Sequence, residues 1–108
     1  PGKALTLPGR EMGEHTFNQY TLRARSKQAR EVILSELKDR NVGHSIYYPV
    51  PLHLQACFAE CGYSQGDFPR SELLSEQVFS IPVFPELTEQ ERSAVVDGLV
   101  AAVQRLGN

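Results

Sequence analysis

Tyr47-Tyr48-Pro49-Val50-Pro51-Leu52-His53-Leu54-Gln55 gathers two phenols, an imidazole and a primary amide around two prolines. Each proline fixes φ, lacks an N–H and pushes the residue before it out of the helical region. The segment can therefore prolong neither a strand that enters it nor a helix that leaves it. Bends of this kind are where a scaffold turns polar groups toward a ligand. Its two flanks set the class. Upstream, Val42 to Tyr48 is short, β-branched and aromatic enough for a strand. Downstream, Leu54, Cys57, Phe58 and Cys61 keep the i, i+3, i+4, i+7 spacing of a short helix with a buried apolar face, and Gly62 stops it.

Working outward, the same alternation continues in both directions. Thr16 to Ala24 reads as a strand, with Tyr20, Leu22 and Ala24 on one face and Gln19, Thr21 and Arg23 on the other. Ser26 can cap a following helix in which Ala29, Ile33 and Leu37 recur every four residues, Glu36 stands four before Arg40, and Asn41 and Gly43 end the run. Beyond a turn-rich Ser64 to Asp67, Pro69 suits the first position of another helix, with Leu73, Leu74 and Val78 expected to face inward. Ser80 to Phe84 is a third strand, and Pro82 implies that it lies at an edge. Thr88 and Glu91 form a capping box for a last helix with Val95, Leu99, Val103 and Leu106 on one face and Gly107 as its stop. Residues 1–14, rich in Gly, Pro and charge, read as an irregular lead-in with Leu5 and Leu7 as its docked side chains. Short strands among helices predict an α+β layer with the sheet covered on one face.

At 108 residues the chain is one domain at most, and a body of this size buries only about two-thirds of its unfolded surface. The formal charge of −2 argues against a nucleic-acid partner held through its phosphates. Arg23, Arg25, Lys27 and Arg30 could meet nucleotide phosphates, although a charge run at a strand-to-helix junction is ordinarily a solvated face. No apolar stretch approaches the roughly 20 residues that span a membrane, and no signal-peptide pattern opens the chain. Two cysteines suggest buried thiols in a reducing compartment, hence the cytoplasm, more than a disulfide framework.

The bend, taken with Gly62-Tyr63, Gly66-Asp67-Phe68-Pro69 and Ile81-Pro82-Val83-Phe84-Pro85-Glu86-Leu87-Thr88, resembles the C-terminal part of the DegT/DnrJ/EryC1/StrS sugar aminotransferases. Phe17-Asn18-Gln19-Tyr20 and Asn41-Val42-Gly43 fit the same pattern, so the likeness runs from about His15 to about Leu106. It implies the C-terminal domain of a fold-type I enzyme, a three- to four-stranded, mainly antiparallel sheet with helices on one side. Residues 1–14 would then lead in from a large domain and residues 15–108 would form the small one. The implied reaction moves an amino group from an amino acid, commonly glutamate, to a keto sugar linked to a nucleotide, in cell-surface polysaccharide or related sugar biosynthesis. Pyridoxal phosphate would be held mainly by the large domain, in a homodimer. Lys3, Lys27 and Lys38 lie in no Schiff-base motif of the family, so this chain alone is expected to be inactive. The alternatives are a non-catalytic relative or a free-standing binding or scaffold domain.

Candidate side chains are few. His53, Cys57 and Cys61 at i, i+4 and i+8 invite a zinc reading, but eight helical residues rise ~12 Å and ligands must come within ~2.3 Å of one ion. Both cysteines are expected in the core. On their own Tyr47, Tyr48 and His53 read as half-buried aromatic and cap residues. The resemblance places Tyr47 and Tyr48, and with them His53, at the mouth of the active site as substrate contacts, with Tyr47 standing where some relatives have histidine. His15 and His44 have no partner pattern and receive no role.

Overall fold

The computed structural model describes residues 3–107; Pro1 and Gly2 of the expected lead-in lie outside them. The elements are β1 (Leu5–Thr6), β2 (Tyr20–Ala24), α1 (Lys27–Asp39), two 3₁₀ turns (Leu52–Leu54 and Ala56–Cys61), α2 (Pro69–Gln77), β3 (Val78–Ile81) and α3 (Glu89–Arg105). The sheet runs β1-β2-β3 and is antiparallel throughout. With Leu22 opposite Phe79 and Leu5 opposite Ala24, the alternation of side chains sends Leu22, Ala24 and Phe79 to one face. There they meet Ala29, Ile33 and Leu37 of α1 and Val95 and Ala102 of α3 in one buried cluster. A Cβ at Gly98 would lie 3.0 Å from Leu37 Cδ2, so α1 and α3 approach through a residue without a side chain.

The helix signals act as their chemistry requires. The Ser26 hydroxyl accepts from the Ala29 amide, Pro69 occupies the first turn of α2, and Thr88 and Glu91 exchange both bonds of the capping box. Asn41 and Gly107, at φ 56 and 71, turn the chain after α1 and α3. The opposite sheet face is polar: Thr21 Oγ1 lies 2.9 Å from Ser80 Oγ, and Arg23 Nε donates to Gln77 Oε1 at 2.7 Å. The α+β class, the mainly antiparallel sheet and the one-sided helices therefore stand as expected.

Several details differ. Within the stretch expected to be irregular, Leu5–Thr6 pairs with β2 and Ala4 is fully buried, whereas Leu7 is exposed. β2 begins at Tyr20 because Phe17, at φ 50, breaks the extended run before it. No strand forms over Val42 to Tyr48; Ser45 alone pairs, exchanging both backbone bonds with Ser80. The next hydrogen-bonded pairs in that register would be Gly43 with Pro82 and Tyr47 with Val78. Pro82 has no N–H, and the Val78 amide and carbonyl are already taken by Leu74 O and Arg30 Nη1. β3 sits at the sheet edge but ends at Ile81, one residue before the proline. Leu73 and Leu74 are exposed, and α2 buries Ser75 and Gln77 instead, because its inner side is organised around Arg30. Cys57 and Cys61 are exposed, not core thiols. At three residues per turn, a 3₁₀ segment does not align the spacing read as an apolar helix face.

Candidate functional site

The proline bend closes on itself through short bonds. The Leu54 amide donates to Pro51 O at 2.9 Å, and Gln55 Nε2 donates to Val50 O at 3.0 Å. Tyr47 and Tyr48, joined by a cis peptide, are thereby presented at the β3 edge, 44% and 56% exposed, with ring centroids 5.9 Å apart and the rings edge to face. Tyr47 borders two hollows. One, of about 420 Å³, is lined by Asn18, Gln19, His44, Ser45 and Phe84 as well as Tyr47. The other, of about 200 Å³, lies between both tyrosines, Val50, Leu74, Ser75 and Val78.

His53 belongs to a different setting. Its side chain is buried, and Nε2 donates to Glu72 Oε1 at 2.8 Å. The same carboxylate accepts from the Gly66 amide at 2.7 Å, and these two bonds hold the Glu72 carboxyl below the usual carboxylate range. The imidazole also meets the Phe68 ring edge to face at 4.9 Å, and Phe68 meets Tyr63 in the same way at 5.0 Å. A hollow of about 350 Å³ adjoins this cluster, lined by Leu52, His53, Phe58, Cys61 and Tyr63 among others. The fold thus brings Tyr47 and Tyr48 together and sets His53 beside a separate hollow.

Three residues given no role on sequence grounds join Tyr47: Asn18, Gln19 and His44. His44 Nδ1 lies 3.2 Å from Val42 O, so in the neutral ring Nδ1 donates and Nε2 remains an acceptor. Asn18 and Gln19 belong to the Phe17–Tyr20 motif, the one signal that could have drawn attention to them. Lys3, Lys27 and Lys38 are exposed, and among the described residues no lysine or arginine lines either hollow at Tyr47. A cofactor aldehyde and phosphate find no covalent or cationic partner there, so these residues do not fit a pyridoxal phosphate site of their own. Among the described residues, no helix is long and apolar enough to cross a membrane.

The model of the DegT/DnrJ/EryC1/StrS aminotransferase family matches residues 1–100. A pleiotropic regulatory protein of Geobacillus stearothermophilus is 41% identical over 83 residues, covering 77% of this chain and 22% of that protein. The UDP-N-acetyl-3-dehydro-alpha-D-glucosamine 3-aminotransferase of Acidithiobacillus ferrooxidans is 37% identical over 91 residues, covering 83% of this chain and 23% of its own. The crystal structure of S. venezuelae DesV superposes with a TM-score of 0.84 at 27% identity, covering 94% of this chain and 27% of DesV. The chain therefore spans about a quarter of the length of these relatives.

Proposed function

This chain belongs to the DegT/DnrJ/EryC1/StrS aminotransferase family, and we propose that it works as the C-terminal small domain of a longer pyridoxal-phosphate enzyme acting on nucleotide-linked keto sugars. Residues 1–14 lead in from a large domain and residues 15–108 form the small one. The amino donor is an amino acid, commonly glutamate, the assembly is a homodimer, and the setting is the cytoplasm, in polysaccharide or related sugar biosynthesis. The large domain holds the cofactor, which supplies the electron sink for amino transfer. This chain contributes a wall of the substrate cleft.

One observation carries the reading: the exposed Tyr47, next to the exposed Tyr48, stands at a hollow walled by uncharged polar groups and the Phe84 ring. A tyrosine ring packs against the apolar face of a sugar while its hydroxyl gives or takes one hydrogen bond. Tyr47 does this at that hollow, and Tyr48 contacts the substrate from the smaller hollow beside it. His53 reaches substrate only from the adjoining hollow, with its Nε2 committed to Glu72. Tyr47→Phe in the longer enzyme tests it. A lost neutral hydrogen bond is worth about 0.5–1.5 kcal/mol, so single-turnover rates or sugar affinity should fall about threefold to tenfold in the sugar half-reaction and stay nearly unchanged with the amino-acid donor. Equal losses in both halves, or none in either, would make Tyr47 a structural residue.

A second reading has its own support, since the relative at 41% identity is named a pleiotropic regulatory protein. The chain would then belong to a non-catalytic relative or a free-standing scaffold domain. Nucleotide-sugar binding without amino transfer in the longer protein would favour it.

A further inference from the structure

The proposed sugar contact leaves open which side of Tyr47 the sugar occupies, and the two hollows differ enough to decide. The hollow shared with Tyr48 holds about 200 Å³, and its walls include Val50, Leu74 and Val78. That is below the roughly 300–1,000 Å³ of ordinary small-molecule sites. The hollow on the other side holds about 420 Å³, within that range. Its walls carry two primary amides from the exposed Asn18 and Gln19, the free Nε2 of His44, the Ser45 hydroxyl, and the Tyr47 and Phe84 rings. Each amide offers both donors and acceptors. Hydroxyls on a ring need this mixture, because each gives one bond and takes others, while the ring's C–H faces pack on aromatic rings.

The same walls exclude the other parts of a nucleotide sugar. A diphosphate is held by lysine, arginine or a cluster of backbone N–H groups at a helix start; among the described residues no lysine or arginine lines this hollow, and no helix begins at it, since Asn18 and Gln19 before β2, the 43–47 segment and residues 80–84 at the end of β3 and beyond it form its walls. We propose that the hollow on the Asn18 side of Tyr47 seats the hexose ring, and that Asn18, Gln19 and His44 read its hydroxyls, with the diphosphate directed out of the hollow. This rests on the assignment of Tyr47 to the sugar, and it makes these three residues the determinants of which sugar is accepted.

The test is a titration of the isotopically labelled 108-residue chain, followed by amide and side-chain NMR, with UDP-glucose and dTDP-glucose against UDP and dTDP. The two sugar nucleotides should shift Asn18, Gln19, the 43–47 segment and Phe84, and the two nucleoside diphosphates should leave them in place. The N18A/Q19A double variant should weaken the sugar-dependent shifts about tenfold, as expected for two lost neutral hydrogen bonds, while Leu22 and Phe79 resonances stay put and report an intact core. Equal shifts with the sugar-free nucleotides would overturn the proposal, as would no shift at Asn18, Gln19 and His44 at millimolar ligand. Sugar-dependent shifts confined to Tyr48, Leu74 and Ser75 would overturn it too, yet leave the tyrosine wall standing. Shifts at neither tyrosine would remove the underlying assignment as well.

Discussion

Arg30→Met probes the joint on which the Tyr48 side of the site is built. Arg30 is 7% exposed, and its Nη1 donates to Ser75 O at 2.6 Å and to Val78 O at 3.1 Å, clamping the end of α2 to the start of β3. Two opposing costs must be weighed. Hydrogen bonds from a charged donor contribute about 1.5–3 kcal/mol each, so losing both removes about 4 kcal/mol. Against this, the guanidinium is desolvated, which lowers its pKa, and its Nε has no partner among the described residues. Relieving an unsatisfied buried donor returns about 1–3 kcal/mol. The balance is a destabilisation of about 2 kcal/mol, and at about 4–8 °C per kcal/mol for a domain near this size the midpoint should fall by about 10 °C. Thermal unfolding followed by circular dichroism measures it, and hydrogen exchange should show the loss concentrated at Ser75 to Ser80. The rival outcome is specific, because replacing a buried charge by a well-packed apolar side chain is often neutral or stabilising. An Arg30→Met chain as stable as the parent would refute the clamp.

Two further outcomes follow from the surface. The Glu72 carboxyl is held below its ordinary value of 4.5 by His53 and Gly66, and the Glu36 carboxyl by Arg40 and Arg105. Such groups add stability that is present above the unfolded pKa and lost as pH falls through the lowered folded one. The unfolding midpoint should therefore be level from neutral pH to about pH 5 and drop in more acidic solution, and Glu72→Gln should remove part of that drop; superimposable acid profiles would discount the Glu72 contacts. Leu7, Val96 and Val100 are 61%, 51% and 50% exposed along an apolar groove of about 670 Å³ between the sheet and α3. A patch of this kind favours association, so sedimentation should show concentration-dependent self-association of the chain that a Val96→Asp, Val100→Asp double variant abolishes. A strictly monomeric parent would count against it.

The helices were legible because their ends are written in local chemistry. Ser26, Pro69 and Thr88 each act within one turn of their own position, and no tertiary contact has to be known to interpret them. The helix interiors were less legible where the buried side is polar. Leu73 and Leu74 look like the inner face of α2 until Arg30, 39 positions before its first residue, is found to fill that side and draw Ser75 and Gln77 inward. The exposed cysteines had the same cause at shorter range: a 3₁₀ backbone changes which positions share a face, and its choice over an α-helix is not encoded in apolar spacing. As for the site, its aromatic half could be read from the proline bend. Asn18, Gln19 and His44 could not, because the two loops meet only once β2 pairs with β3 and Ser45 bridges to Ser80 on the other side of β3.

The strand expected over Val42 to Tyr48 and the hollow found beside it have one origin. Had that segment paired along the whole of β3, its side chains would have alternated above and below the sheet, and the edge would have been closed by a fourth strand. Ser45 instead holds the segment to Ser80 at a single point, since Pro82 supplies no N–H on one side and Arg30 and Leu74 occupy Val78 on the other. On either side of that point the chain is free to leave the sheet. Toward Gly43 and His44 it opens the larger hollow against Asn18, Gln19 and Phe84; toward Tyr47 and Tyr48 it carries both rings out to the bend. The arginine clamp and the proline that spoil the strand are thus what create the site, and a change that lengthened the pairing would be expected to close it.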